Sequence, residues 1–461
     1  MKELRVLSPT AILGYGFPEE SFLEGIKRNP HVIAVDAGST DPGPYYLGAG
    51  VSFTDRNAVK RDMEYLLKAA VEKNIPVIIG TAGGSGANCH LEWNLEILKE
   101  IAKENQLSFK MGIIEAEIDK SIVMQELKNG KVNQLYPAPK TTEQDVEDSV
   151  RIVAQMGVEP YLKALEGGAQ VILAGRTYDP AVFACLAVKE GFDKGLAIHM
   201  GKILECAAIA ATPGSGSDCM FGYLREDHFE LEPLSSIRKC TTMSVAAHTL
   251  YEKSNPTSLP GPGGILDLSD TKFEQSKENT VIVRGSRFIP TDGTYYVKLE
   301  GVKKVGYRTL SIAGVRDSIM ISKIDEIIDT VKDMVWSNFE NFNSNEFFLD
   351  FKIYGKNGAM GIFENLDFES GQEIGIVIEA VAPTQKLANT ICSFARSTLL
   401  HFGYDGRIST AGNLAFPFSP SDFKAGEVYE FSVYSLMESP DPCKYFPVEI
   451  KMCNKGELNN V

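Results

Sequence analysis

Short apolar runs and segments with helical spacing of apolar residues alternate along the first 210 residues. The run from Gln170 to Ala174 shows the pattern best: it stops at Gly175 and Arg176, and Pro180 then opens a helical segment. Short apolar runs bounded by glycine predict buried strands. Strands separated by helices predict a mainly parallel sheet with helices on both faces. We therefore expect a doubly wound, Rossmann-like α/β domain at residues 1–212.

The pattern changes after about residue 212. Segment 213–218 (PGSGSD) indicates a linker or a flexible loop of a site, and β-rich stretches follow it. Residues 319–335 show clear helical spacing of isoleucine and valine. Strands and helices without regular alternation predict an α+β fold. We expect this α+β domain at residues 213–461, with a sub-domain that starts near residue 340.

Two further segments of the first half yield local predictions. Thr141 and Gln144 fit a capping box, which predicts a helix that runs to about Met156. Residues 195–201 (GLAIHMG) form a short apolar run, which predicts a strand that ends near His199.

Composition narrows the class of protein. The 461 residues include 44% hydrophobic and 23% charged residues, as is usual for a soluble globular protein. A net charge of −15 and the lack of Lys/Arg runs argue against nucleic acid as a partner, because phosphate binding requires a basic face. An acidic surface of this kind does not identify any other partner.

The expected location is the cytoplasm. Charges flank the first apolar run and Pro9 breaks it, which is not the pattern of a signal peptide, and no run reaches the ~18 apolar residues of a membrane span. The eight cysteines are scattered and form no CxxC pair, and HExxH is absent, so we expect reduced thiols and none of the usual zinc motifs. A homo-oligomer is the base-rate expectation for a cytoplasmic enzyme of this size.

Polar residues and glycines follow the predicted strands. Because ligands bind outside the carboxyl ends of parallel strands, these positions are the candidates for a site. They are Gly14, Asp36, the glycine loop 83–86, Glu115, Glu117, Arg176 and His199.

The glycine loop has two readings. Gly83, Gly84, Ser85 and Gly86 follow a strand and precede a helix, and amides exposed at a helix N-terminus bind phosphate or carboxylate. The loop matches neither GxGxxG nor GxxxxGK[ST], so it supports nucleotide binding only weakly. The alternative is a glycine turn that tight packing requires.

Glu115, Glu117 and Arg176 each allow a functional and a structural interpretation. Glu115 and Glu117 lie two apart on a strand, and so on one face, where they could divide acid and base roles or hold a divalent cation such as Mg²⁺. Alternatively, one faces solvent and the other caps a loop. Arg176 either grips an anionic substrate or pairs with an internal acid such as Asp179 or Asp36.

The histidines and Asp218 complete the set. His90 begins the helix behind the glycine loop, and His90 and His199 are the leading candidates for a general base because both are expected at the site edge. A lone histidine is more often structural. Asp218 ends the flexible segment 213–218 and would contact substrate, unless the segment is only a linker.

Several motifs together resemble the acyclic terpene utilisation (AtuA-like) family. They are 35–41 (VDAGSTD), 83–86 (GGSG), 174–180 (AGRTYDP), 245–252 (VAAHTLYE), 306–309 (GYRT) and 314–317 (GVRD). The resemblance spans roughly residues 5 to 430. It implies an enzyme of branched-acid or acyl-CoA catabolism and a small ferredoxin-like partner, fused or separate. It transfers no catalytic residue to this chain.

Three hypotheses follow. The first is a hydro-lyase of a small branched carboxylic acid or its CoA thioester, with a base among Glu117, Glu115, His90 and His199. In this hypothesis Arg176 and the 83–86 loop hold the carboxylate, and Asp36 or Asp218 orients the leaving hydroxyl or a metal ion. The second is a metal-dependent hydrolase with Asp36, Glu117, His90 and His199 as ligands. The third is a non-catalytic subunit of a catabolic complex.

Overall fold

The structure is a computed structural model, and it describes residues 2–339, 347–364 and 371–461. It divides into two compact units: one comprises Met1–Lys303 and Phe431–Val461, and the other comprises Lys304–Glu430. The domain boundary expected at residue 212 lies inside the first unit. The boundary expected near residue 340 falls at residues 340–346, outside the described residues.

The described residues contain 13 α-helices and two short 3-10 helices, at Ala207–Ala210 and Gly361–Phe363. The α-helices are α1 (Glu19–Lys27), α2 (Pro44–Ala49), α3 (Arg56–Lys73), α4 (Asn88–Glu104), α5 (Lys120–Lys128), α6 (Glu143–Asp148), α7 (Glu159–Glu166), α8 (Pro180–Lys189), α9 (Lys194–Leu204), α10 (Thr242–Thr249), α11 (Ser318–Ser322), α12 (Ile324–Asn338) and α13 (Gln385–His401). None of the helices in the described ranges is both long and apolar enough to cross a membrane.

The strands of the described residues are β1 (Leu4–Ser8), β2 (Val32–Asp36), β3 (Val77–Gly80), β4 (Ser108–Ile114), β5 (Val132–Gln134), β6 (Ser149–Gln155), β7 (Val171–Ala174), β8 (Met220–Leu224), β9 (His228–Pro233), β10 (Ser258–Gly261), β11 (Gly264–Asp267), β12 (Lys272–Lys277), β13 (Thr280–Arg284), β14 (Arg287–Pro290), β15 (Tyr295–Val315), β16 (Phe348–Tyr354), β17 (Ile374–Ala382), β18 (Asp422–Ser439), β19 (Val448–Asn454) and β20 (Glu457–Asn460).

An 11-stranded sheet forms the centre of the first unit, in the order β12-β13-β9-β8-β1-β2-β3-β7-β4-β19-β20. The strands β1, β2, β3, β7 and β4 are parallel to their neighbours within this group. The pairs of β8 with β1 and of β19 with β4 are antiparallel. The predicted mainly parallel, doubly wound sheet is therefore confirmed. The carboxyl ends of the five parallel strands share one edge, which is the expected place for a site.

Successive residues of the parallel strands enter two different cores. Val32, Ala34 and Ile78 belong to a hydrophobic cluster on one face of the sheet, and Ile33 and Val35 belong to the cluster on the other face. Side chains alternate along a strand, so a continuous apolar run is what a sheet covered on both faces requires. Burial on both faces therefore explains why continuous apolar runs in the sequence predicted these strands.

The predicted helix from residue 141 to about Met156 is wrong in both its cap and its length. Thr142 and Asp145 form the capping box, and α6 ends at Asp148. The following residues form β6, which pairs with residues 298–303 of β15. The segment SVRIVAQ is rich in β-branched residues, and its pairing with a distant strand decides its conformation.

The predicted strand at residues 195–201 is also wrong. These residues lie inside α9, and the side chain of Asp193 caps that helix by accepting a hydrogen bond from the amide of Leu196 at 2.8 Å. Every residue from Gly195 to Leu204 is buried. A helix that is buried all round has no polar face, so its periodicity cannot be distinguished from that of a buried strand.

The second unit is α+β, as the sequence predicts. Strands β16, β17 and the distal part of β15 pair antiparallel, with Ile353 opposite Ile376 and Ala313 also opposite Ile376. Helices α12 and α13 contribute to one hydrophobic cluster with these strands. The helix predicted at 319–335 is present as α11 and α12, with a break at Lys323.

Candidate functional site

The glycine loop 83–86 packs against backbone. Gly84 and Gly86 have left-handed φ angles of +103° and +71°. A Cβ atom on Gly86 would lie 2.2 Å from the backbone nitrogen of Arg176, and one on Gly38 would lie 2.2 Å from the carbonyl oxygen of Gly84. Only glycine permits such close approach. The loop thus joins the ends of β2, β3 and β7.

The loop amides have partners within the protein. The amide of Gly84 donates to the carbonyl of Thr81 at 3.3 Å, and that of Gly86 donates to the carbonyl of Ala82 at 3.1 Å. The Ser85 hydroxyl is buried without a hydrogen-bond partner among the described residues. These contacts favour the packing reading of the loop, because two of the amides expected to bind an anion are already occupied.

Glu117 occupies the anion position at the N-terminus of α4. Its Oε2 accepts a hydrogen bond from the amide of Asn88, the first residue of the helix, at 2.9 Å. A carboxylate is favoured there by the helix dipole. Glu115 follows β4, and its amide donates to the carbonyl of Pro447 at 3.3 Å. The anion expected at this helix is therefore a side chain of the protein itself.

The rings of His90 and His199 are buried and hydrogen-bonded within the core. Nε2 of His90 lies 3.2 Å from the carbonyl oxygens of Tyr46 and Val51, and burial lowers the pKa of His90 to about 4.

The ring of His199 contacts the hydroxyls of Ser286 and Thr249 through Nδ1 and Nε2, at 2.6 and 3.0 Å. Burial, with the charge of Lys202, lowers the pKa of His199 to about 3. With both of its nitrogens engaged, this ring has the bonding of a structural histidine.

Asp218 forms an ion pair with Arg238, with 2.7 Å between Oδ2 and Nε, and its Oδ1 accepts from the amide of Cys219. Its loop reaches the end of β1, where the amide of Ala11 donates to the carbonyl of Gly216 at 2.9 Å. Asp218 therefore stabilises the loop that covers this end of the sheet.

Arg176 is paired inside the protein and is 2% exposed. Its Nε lies 2.6 Å from Oε2 of Glu300, and its Nη1 lies 3.0 Å from Oδ1 of Asp179. Lys298 contacts the other carboxylate oxygen of Glu300 at 2.8 Å. Burial raises the pKa of Glu300, but the charges of Arg176 and Lys298 outweigh it and lower this pKa to about 2. Of the two readings of Arg176, the internal ion pair is the one present.

Glu300 was not among the candidates from the sequence. It is fully buried in β15, between the apolar residues Leu299 and Val302. A lone acid between buried apolar residues was the available signal, because a buried charge requires a partner. The identity of that partner, Arg176, depends on a separation of 124 residues in the chain.

A cluster of ionisable side chains lies where β2 and β7 end. Asp36 is the last residue of β2, Asp179 precedes α8, and Glu205 follows α9. The charges of Asp179 and Glu205 both act on Asp36, so the three carboxyl groups are electrostatically coupled. Lys202 donates to Oε1 of Glu205 at 2.6 Å. Lys202 and Glu205 were also missed, although both interrupt a long apolar stretch.

Burial raises the pKa values of these acids. It raises the pKa of Glu205 to about 7, against the opposing charge of Lys202. Burial, followed by the charge of Asp179, raises the pKa of Asp36 well above its usual range. Burial also raises the pKa of Asp179, against the charge of Arg176. A carboxyl group with a pKa near neutrality can both accept and return a proton at physiological pH.

Two buried polar atoms of this cluster lack a partner among the described residues, Oε2 of Glu205 and Nε2 of His248. Lys253 is half-buried, and the charges of Lys202, Glu205 and Asp179 act on it. Burial, with the charge of Lys202, lowers the pKa of Lys253. Buried polar groups without hydrogen bonds are costly, and at a functional site a ligand can satisfy them. These two atoms make the cluster the candidate site of this fold.

The cluster contains charges of both signs. The side chains concerned are Asp36, Asp179, Glu205, Glu300, Arg176, Lys202, Lys253 and Lys298. Two exposed carboxylates also act on it: Asp41 on Asp179, and Glu252 on Lys253. Burial raises the pKa of Asp36 and of Glu205, which favours their neutral forms and shifts the balance toward the cations.

The residues proposed as metal ligands do not converge. Within residues 2–339, 347–364 and 371–461, no group of three or more His, Cys, Asp or Glu side chains is arranged to hold a metal ion. Asp36, Glu117, His90 and His199 do not form such a group, and the rings of His90 and His199 have different hydrogen-bond partners.

Comparison with protein families gives one match. A family model described as acyclic terpene utilisation family protein AtuA matches residues 55–219 and 236–413. Comparison with curated proteins and comparison with solved structures give no match. The family match includes Arg176, Asp179, Lys202 and Glu205, and it continues through Lys253.

We expect Gly86→Ala to destabilise the first unit more than Gly130→Ala does. The two glycines have φ angles of +71° and +72°, but a Cβ at Gly130 meets nothing within 4 Å. Both substitutions carry a strain of ~1 kcal/mol or more from the left-handed backbone. The backbone clash at Gly86 adds about 2 kcal/mol or more. Urea unfolding measures both, and equal losses would refute the packing role.

Glu300→Gln should destabilise the protein by about 3–5 kcal/mol, because it leaves the buried guanidinium of Arg176 without a charged partner. The matched control is Glu64→Gln, which removes an exposed pair with Lys68 and should cost less than about 1 kcal/mol. The free energy of unfolding in urea gives both values. A loss at Glu300 as small as that at Glu64 would contradict the buried ion pair.

Proposed function

The chain belongs to the acyclic terpene utilisation family, AtuA, and on this premise we propose that it is a hydro-lyase of a small branched carboxylic acid or its CoA thioester. Family membership implies involvement in acyclic terpene catabolism. The reaction class is our inference from the side chains at the ends of β2 and β7. The observation that carries it is Glu205, which combines a pKa of about 7 with an unpartnered, buried carboxylate oxygen.

We assign the role of general base to Glu205. Its Oε2 takes the proton from the carbon next to the carboxyl or thioester group, while Lys202 holds Oε1. Proton transfer is most effective when the pKa of the base lies near the working pH. This assignment replaces Glu117, His90 and His199, whose side chains have other partners in the fold, and also Glu115, which no contact among the described residues joins to the cluster.

Lys253 is the group we assign to the substrate anion. Its ammonium has no hydrogen bond or ion pair in the described part of the chain, and the charges of Lys202, Glu205 and Asp179 act on it. A partly buried cation stabilises a carboxylate, and it stabilises the negative charge that develops on the carbonyl oxygen after proton removal. The sequence pattern assigns the binding of the substrate anion to Arg176 instead.

Asp36 is the candidate for the acid that assists the departure of the hydroxyl group. Burial, followed by the charge of Asp179, raises the pKa of Asp36 well above its usual range and so favours its protonated form, whereas Asp179 is paired with Arg176. In the elimination, the carbon–hydrogen bond breaks, the proton goes to Glu205, and the electron pair moves onto the carbonyl oxygen as an enolate. The enolate then collapses: the carbon–carbon double bond forms as the carbon–oxygen bond breaks, and the hydroxyl leaves as water with the proton from Asp36.

Glu205→Gln should lower turnover at least about a hundredfold, because a positioned base contributes 10²–10⁴-fold. The assay is the growth of enoate absorbance with branched hydroxy acids and their CoA esters, with and without Mg²⁺. The control is Glu190→Gln, which alters an exposed acid after α8 and should leave turnover unchanged. Silence of the wild-type protein on the whole panel would refute the hydro-lyase, unless a co-purified small subunit restores turnover.

The pH profile tests the same base independently. Only the deprotonated carboxylate of Glu205 accepts a proton, so activity should fall as the pH falls through about 7, by about tenfold per unit well below the pKa. Above the pKa, activity should level off until another group titrates. A flat profile between pH 5 and 8 would exclude Glu205 as the base.

Lys253→Met should raise KM for the carboxylated substrate by about tenfold or more, since a charge-assisted hydrogen bond contributes about 1.5–3 kcal/mol. Lys253→Arg keeps the charge and should retain part of the affinity. Lys189→Met is the control, because Lys189 pairs with Glu190 on the surface of α8. If the substitutions at Lys253 and Lys189 had equal effects on KM, the anion role of Lys253 would be wrong.

A further inference from the structure

One face of the antiparallel sheet in the second unit remains accessible to solvent in the described part of the chain. Ala313, Phe351 and Ile378, from β15, β16 and β17, belong to the hydrophobic cluster that includes α12 and α13. Side chains alternate along a strand, so the residues between them lie on the opposite face, which we call the outer face. It comprises every second residue from Arg308 to Ile312, from Phe348 to Tyr354 and from Val377 to Val381.

The outer face is rich in apolar side chains for a surface that contacts water. Phe348, Tyr354 and Ile312 are 53%, 51% and 36% exposed. Val377 and Val381 lie between them in the sheet and are half-buried. The solvated face of an antiparallel sheet normally carries polar side chains, and exposed apolar patches mark sites where another molecule binds. The composition of the outer face is therefore that of an interface.

A groove of about 350 Å³ lies on the outer face, beside the ring of Phe348. Val305, Val381 and Val428 contribute apolar surface to its lining. A cavity of about 150 Å³ is sufficient to hold benzene, so the groove has room for a phenyl ring. The outer face thus carries a half-exposed aromatic ring and, next to it, a groove that can receive such a ring.

The charged side chains of the outer face nearly balance one another. Glu379 pairs with Arg308 at 2.5 Å and also with Lys352, which lies 3.1 Å from Asp350. Glu430 borders the groove as a third acid. Two cations and three acids leave a local charge of −1, whereas the whole chain carries −15. A large net charge keeps proteins apart, so two copies approach most readily through a face that is nearly neutral.

We propose that the outer face is the interface of a homodimer, in which Phe348 of each copy enters the groove of the other copy. In an interface with two-fold symmetry the same patch on both copies makes contact, so the patch must fit itself. The outer face meets this condition because it carries both the ring and the groove, and because its charges nearly cancel. The proposal does not depend on the reaction that the first unit catalyses.

Analytical ultracentrifugation of the full chain tests the interface. The wild-type protein should sediment with twice the mass of the chain at about 100 μM, a concentration at which an interface with a micromolar Kd is formed. Phe348→Ala removes the ring, and Val305→Lys places a charge in the groove. Each substitution should raise the Kd of the dimer at least about a hundredfold, because two-fold symmetry removes a central contact twice.

Phe363→Ala and Val150→Lys are the matched controls. Phe363 lies on the 3-10 helix Gly361–Phe363 and Val150 on β6, and both side chains are exposed outside the outer face. Both control variants should remain dimers. Thermal unfolding followed by circular dichroism verifies that all four variants are folded, as expected for substitutions at exposed positions.

Three results would overturn the proposal. The first is a wild-type protein that is monomeric at about 100 μM. The second is a dimer that persists unchanged in both Phe348→Ala and Val305→Lys. The third is a stable complex with a protein of different sequence that both substitutions abolish, because the outer face would then serve that partner.

Discussion

The buried ion pair between Arg176 and Glu300 is the interaction on which the rest of the site depends. It joins the end of a parallel strand to β15, a strand 124 residues further along the chain, at a position where both side chains are almost inaccessible to water. A buried guanidinium is tolerated only when its hydrogen bonds are satisfied. Lys298 and Asp179 extend the pair, so four charged side chains form one network.

The charges of this network explain why the neighbouring acids differ in pKa. Glu300 lies between two cations and stays ionised, with its pKa lowered to about 2. Asp36 faces another acid and loses hydration, so its pKa is raised. The pKa of Glu205 is raised less far, because one of its oxygens accepts a hydrogen bond from Lys202 while the other has no partner among the described residues. One fold thus gives the same chemical group three different protonation behaviours.

Much of the fold could be predicted because its strands and helices have local causes. Apolar runs that end in glycine correctly predicted parallel strands such as β7. Pro180 correctly predicted the start of α8. The site was harder to predict from the sequence. Arg176 was a candidate because it follows a strand, but the sequence did not identify its partner, Glu300. Glu117 was a candidate from the sequence, and the structure places it at the N-terminus of α4. There it accepts a hydrogen bond from the amide of Asn88, at the position expected for an external anion.

The sequence by itself determined the α/β class, the family, and the edge of the sheet at which polar groups collect, because periodicity and strand-end residues are local properties of the chain. Only the tertiary structure decided which of those groups are already paired. His199 was placed on a strand because a fully buried helix has no polar face to reveal it. Lys202, Glu205 and Lys253 became candidates only when folding showed which charges lie together and which atoms lack partners, since such pairing depends on contacts between distant segments.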